Sequence, residues 1–159
     1  MSLYSEESLF FRFNIQTDCM KQNEEIKGVG WVLFDPTSKG VCIHRRDSSA
    51  SSASDTWDHF GGGFEADKDR TALDALSREV REELGIEINV GEVKELTKNA
   101  GQFIYYIPFK FEKICQIKLG EGAGLAWLTL DGALSLSDLT QAARDILNLL
   151  KSHEKGNSE

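Results

Sequence analysis

The stretch Arg78-Glu79-Val80-Arg81-Glu82-Glu83-Leu84-Gly85-Ile86 decides the reading of this chain. Leu73, Leu76, Val80 and Leu84 recur at about 100° per residue, which predicts a helix over 71–84 with one apolar face. Thr71 with Asp74 makes a capping box, and Gly85 supplies the residue that ends such a helix. With the apolar face inward, Glu79 and Glu83 fall one turn apart on one flank, and Glu82 sits beside them toward solvent. Like charges at i, i+4 cost an isolated helix about 0.2–0.5 kcal/mol. Anions in the last turns also oppose the helix dipole, by about 0.3–1 kcal/mol each. Arg78 reaches Glu82 only in the less favourable order. Helix stability therefore does not explain the acids, whereas capture of a divalent cation does: converging carboxylates are hard ligands for Mg²⁺ or Mn²⁺.

Working outward, Gly61-Gly62-Gly63 precedes this helix and is read as a turn that lets backbone approach a phosphate chain. It is not a P-loop, since no Lys-Ser/Thr follows, and it lacks dinucleotide-fold spacing. Leu9 to Gln16, Gly28 to Phe34 and Val41 to Arg46 read as strands, the last two joined through Asp35-Pro36 to Gly40. Asp47 to Asp55, with five serines in nine residues, is expected as a surface loop bordering a site. Ile86 to Leu96, Gln102 to Phe111 and Ala126 to Leu130 are further strand candidates. Leu139, Ala142, Ala143, Ile146, Leu149 and Leu150 mark a second amphipathic helix, followed by a polar, frayed tail from Ser152. One α/β domain spans 1–159, with its ordered core at about 8–151.

The segment Trp57-Asp58-His59-Phe60-Gly61-Gly62-Gly63-Phe64-Glu65, Ala75, and then 78–86, resembles the Nudix box, G-x5-E-x7-R-E-U-x-E-E-x-G-U with U aliphatic. The second half matches at every specified position. The first half departs: counting back from Arg78, the box glycine falls on Phe64 and its glutamate on Arg70, so Asp67 or Asp69 takes the glutamate's place or the role is absent. The resemblance to the Nudix hydrolase family, MutT-like, implies an α/β/α sandwich around a mixed β-sheet. It implies that Glu79, Glu82 and Glu83 coordinate Mg²⁺ (Mn²⁺ as a substitute), with one of them as general base. It further implies a holding role for Arg78, a metal contact from the Gly61 carbonyl, and one more acid from a later loop, for which Glu121 in Gly120–Gly124 is the match.

The implied activity is metal-dependent cleavage of the pyrophosphate bond in a nucleoside diphosphate linked to another moiety: a nucleoside triphosphate, a nucleotide sugar or a dinucleotide. The alternatives are a catalytically silent nucleotide-binding relative and an acidic interaction domain. Substrate-side candidates are Arg45, Arg46, Gly61, Gly62 and Trp57; adjacent strand residues face opposite ways, so one of the two arginines is expected to enter the site. Phe103 is weighed as a second stacking ring, His44 as strand surface, and His59 as a loop residue with a site role as its alternative. The chain carries 26 acidic and 18 basic residues, a formal charge of −8, which argues against a broad grip on nucleic acid. Hydrophobic residues at 40% and charged residues at 28% suit a globular protein, and no apolar run approaches the roughly 20 residues of a membrane span. Cys19, Cys42 and Cys115 are odd in number and show no metal spacing, so a reducing cytoplasmic setting is expected. A nucleotide-type partner is expected, and a homodimer is left open.

Overall fold

A computed structural model describes residues 25–120 and 122–157. The strand candidate Leu9 to Gln16 lies outside them. One seven-stranded mixed sheet is built from β1 (Gly28–Asp35), β2 (Gly40–Arg45), β3 (Trp57–Asp58), β4 (Phe60–Gly63), β5 (Lys94–Asn99), β6 (Gln102–Pro108) and β7 (Gly124–Thr129). The helices are α1 (Ala72–Leu84), α2 (Leu130–Leu134) and α3 (Gln141–Gly156), with a 3-10 turn at Phe111–Gln116.

β1 is the axis of the sheet and is buried throughout. It runs parallel to β6, antiparallel to β4 along its first half, and antiparallel to β2 at its end. Its alternation sorts the core. Val29, Trp31 and Leu33 face α1 with Leu76, Val80 and Leu84, while Val32 and Phe34 face α3 with Ala143, Ile146, Leu147 and Leu150. Helices thus cover both faces of a mixed sheet, the α/β/α sandwich that the family resemblance implies.

Local signals hold for α1. Thr71 accepts from the Asp74 amide, Asp74 answers the Thr71 amide, and Gly85 ends the helix at φ 64°. Elsewhere the structure corrects the reading. The glycine run is not a turn: Phe60–Gly63 is a strand, and none of its glycines has positive φ. Its flatness lets β4 lie against β1, where a Cβ on Gly28 would sit 2.7 Å from the Gly62 carbonyl. Residues 86–93 are not a strand; a turn closed by Asn89, which accepts from Glu92 and Gly91 amides, delays pairing until Lys94. β6 stops at Pro108, and Phe111 turns in to donate to Asp35. The buried stripe of α3 includes Leu147, whereas Ala142 and Leu149 face out. The helix also continues through Ser152 to Gly156, because Glu154 pairs with Lys39 and His153 stacks edge-on against Tyr106. No helix among the described residues is long and apolar enough to cross a membrane.

Candidate active site

Arg78 organises the carboxylates. Its side chain is 11% exposed and its guanidinium meets four acids: Asp69, Glu79, Glu65 and Glu82. Nε and Nη2 reach the two Asp69 oxygens at 3.0 and 2.8 Å, Nη2 also donates to the Gly63 carbonyl at 2.8 Å, and Nη1 donates to Glu79 at 2.7 Å. Hydrogen bonding to Asp69, against the opposing cost of burial, raises the Arg78 pKa further. Asp69 is lowered in turn, first by Arg78. Its Oδ2 also accepts from the Glu65 amide, while Asp67 stays on the exposed turn. The like-charge cost read from the sequence is therefore offset by a largely enclosed cation that is shared among the acids.

The three helix glutamates then part company. Glu79 lies against the glycine strand so closely that a Cβ on Gly62 would fall 2.0 Å from its carboxyl carbon. Glu83 is buried, at 8% exposure, and lines a cleft of about 760 Å³ with Gly61, Gly62, Gly120 and Gly122. Glu82 has a side chain 55% exposed and touches Arg78 at 3.4 Å. Among the described residues, no three His, Cys, Asp or Glu form a cluster able to hold an ion. The convergence of all three glutamates expected from the helix is thus not seen, because Arg78 draws Glu79 and Glu82 toward itself. The donor set still suits Mg²⁺. It consists of hard oxygens packed against a cradle that only glycine fills, and Mg²⁺ commonly uses one or two carboxylates with waters and substrate phosphates.

The loop after the 3-10 turn closes the end of α1. Lys118 and Gly120 amides donate to the Leu84 and Glu83 carbonyls at 2.8 and 2.7 Å, satisfying groups a helix end leaves bare. Glu121 lies outside the described residues; its neighbours Gly120 and Gly122 line the cleft.

The two arginines diverge. Arg46 lines the cleft, with Nη1 on Asp58 at 3.2 Å and Nε on the Ser52 carbonyl at 3.0 Å. Arg45 turns away, pairing with Asp138 and lying over the Trp57 ring at 5.5 Å. Trp57, a candidate for substrate stacking, instead bridges to Leu139 and packs in the α3-side core. Phe103 sits beside Tyr105 under Lys98, also outside the cleft.

Two cleft-lining residues, His44 and Asp58, and Thr140, which bonds Asp58, were not anticipated in these roles; His59, weighed for a site role, joins them. His44 is not strand surface. It stacks on Phe60 at 4.8 Å, and its Nε2 meets the His59 carbonyl at 3.0 Å. Burial pulls its pKa below the ordinary value, outweighing that carbonyl. Asp58 is buried, which acts to raise its carboxyl. Hydrogen bonds from His59 and Thr140 outweigh that and hold it at about 2. Only the pairing of Trp57 with Leu139 brings Thr140 to Asp58, so no local signal announces the network.

A profile of the NUDIX domain matches residues 25–150. The chain belongs to the NUDIX family. Solved structures agree on the fold. The MutT protein of Methanosarcina mazei is 20% identical, with TM-score 0.61, covering 82% of this chain and 95% of its own. A MutT NUDIX hydrolase of Burkholderia pseudomallei is 20% identical, with TM-score 0.58 and coverage of 79% and 98%. The NUDIX domain of Shewanella oneidensis NrtR, solved with ADP ribose, is 16% identical, with TM-score 0.63 and coverage of 81% and 88%. No curated protein matches the chain. NUDIX proteins in general hydrolyse pyrophosphate bonds with the help of divalent metals.

Proposed function

We propose that this NUDIX protein is a Mg²⁺-dependent hydrolase that cleaves the pyrophosphate bond of a nucleoside diphosphate linked to another group. The observation that carries the reading is the seating of Glu79 on Gly62, with Glu83 one turn on in the cleft, so that oxygen donors border a flat glycine floor. Glu79, Glu83 and the Gly61 carbonyl would hold the ion, with Glu82 and Glu121 completing the set. Bound there, the metal would neutralise diphosphate charge and lower the pKa of an attacking water. The chain's own residues do the rest. One of the glutamates accepts the proton of that water. Arg46 offers its remaining donors to phosphate oxygens, as its planar fork suits. Arg78 holds Asp69 and Glu79 in place by ion pairing.

The test is product release from ATP, GTP, CTP, UTP and ADP ribose with Mg²⁺, repeated with EDTA. Turnover that EDTA abolishes supports the reading; no turnover of any of them by folded protein overturns it. A second reading, a silent nucleotide-binding relative, is favoured by one observation, that Arg70 stands where the family motif has its glutamate. It requires calorimetric binding of these nucleotides without turnover.

A further inference from the structure

Asp58 holds two cleft-lining groups at once. Its Oδ1 accepts from the His59 Nδ1 at 2.8 Å, the His59 amide at 2.9 Å and the Thr140 hydroxyl at 2.7 Å. Its Oδ2 takes Arg46 at 3.2 Å. Thr140 is itself fixed, because it caps α3 by accepting from the Ala143 amide. An ionised carboxylate only accepts, so Nδ1 of His59 donates to Asp58 and Nε2 is the ring nitrogen left to meet a ligand. His59 lines the cleft, and among the described residues no protein hydrogen bond is made to its Nε2.

The position of this ring follows from the pleat. Gly61 and Gly62 are neighbours in β4 and face opposite sides of the sheet. Gly62 faces Glu79 on α1, whereas a Cβ on Gly61 or on its partner Gly30 would approach the His59 Nε2 at 3.8 and 3.1 Å. The ring therefore lies across the sheet edge from the carboxylates. A substrate with its diphosphate beside Glu83 would bring its non-reacting end toward His59.

We propose that His59 is a substrate-binding residue that hydrogen-bonds a polar group of the nucleoside through Nε2, with Asp58 as its positioning residue. This rests on the hydrolase reading above and adds to it a contact that acts on binding rather than on bond cleavage.

The experiment is steady-state kinetics with Mg²⁺ on the nucleotides named above, for the wild type and for His59→Ala, His59→Asn and His59→Gln. Asn reproduces the Nδ1 bond to Asp58 but ends short of Nε2; Gln reaches the Nε2 position. Loss of one hydrogen bond predicts about a tenfold rise in KM for the Ala and Asn variants, with kcat within about twofold. Gln is expected to recover most of that rise. If the 2′-deoxy counterpart of the best substrate loses the same factor in the wild type and nothing further in His59→Ala, the partner group is on the ribose. A deoxy penalty independent of His59 assigns it to the base. Unchanged KM in His59→Ala, rescue by Asn instead of Gln, or a fall in kcat at constant KM overturns the proposal. A wild type that neither binds nor turns over any probe removes the hydrolase reading first, and this inference with it.

Discussion

Asp69 grips Arg78 through both carboxylate oxygens, at 3.0 and 2.8 Å, from one position ahead of Arg70, where the family motif has its glutamate. The shorter acid reaches because the chain turns at Glu65: the Lys68 and Asp69 amides bond its carbonyl, and Asp69 returns to the Glu65 amide. Asp69→Ala is expected to destabilise the fold by about 1–2 kcal/mol, since Asp69 is buried and Arg78, only 11% exposed, keeps just its other partners. Thermal unfolding measures this. Adding Arg70→Glu, which restores the family spacing, should recover part of the loss. A melting temperature unmoved by Asp69→Ala would show that the other acids suffice.

Gly62 and Gly63 offer a matched pair. A Cβ on Gly62 collides with Glu79, whereas one on Gly63 meets nothing within 4 Å. Gly62→Ala should therefore displace a proposed metal ligand, at a fold cost of about 1 kcal/mol because the colliding carboxyl is the end of a flexible side chain. Gly63→Ala should stay within about 0.5 kcal/mol. Chemical denaturation of both variants, with Mg²⁺ binding by calorimetry, checks the contrast.

Glu83 and Glu82 are adjacent in sequence but not equivalent in space, since Glu83 lines the cleft and Glu82 faces solvent. Glu83→Gln is expected to lower kcat by about 100-fold or more, the usual scale for losing a positioned proton acceptor or ligand. Glu82→Gln should lower it by no more than about tenfold. The reverse order in single-turnover rates would assign the chemistry to the exposed acid.

Asp58 makes stability depend on pH. Its folded pKa of about 2 lies below the ordinary 3.8, so folding favours the ionised form. The stabilisation is complete above about pH 5 and is lost as pH falls toward 2, amounting to about 2 kcal/mol in order of magnitude. Asp58→Asn should therefore be less stable than the wild type at pH 7, and the gap should close as the pH falls to about 2. A constant difference across that range would show that Asp58 is not the titrating group.

How far the sequence reaches is clearest along α1. Its cap, its buried stripe of Leu76, Val80 and Leu84, and its glycine stop are all set within a few residues of one another. The same holds for β1 and β2, where apolar runs and a proline turn agree. Residues 86–93 misled because isoleucines at alternating positions satisfy a strand pattern, yet both pack sideways into the α1-side core without pairing. The glycine run misled for the opposite reason. Glycine has no pattern of its own, and only its pairing with Gly28–Trp31 makes it a strand.

The sequence by itself determined the acid-rich helix, the arginine that precedes it and the family to which both belong, because those features are local and their spacing is fixed by the helix repeat. Tertiary structure alone decided that Asp69 rather than Asp67 takes Arg78, that Arg46 rather than Arg45 enters the cleft, and that Thr140 fixes Asp58. Each of those choices depends on which distant backbone lies within hydrogen-bond reach. That is set by sheet pairing and helix docking across the whole core, and no short window of residues encodes it.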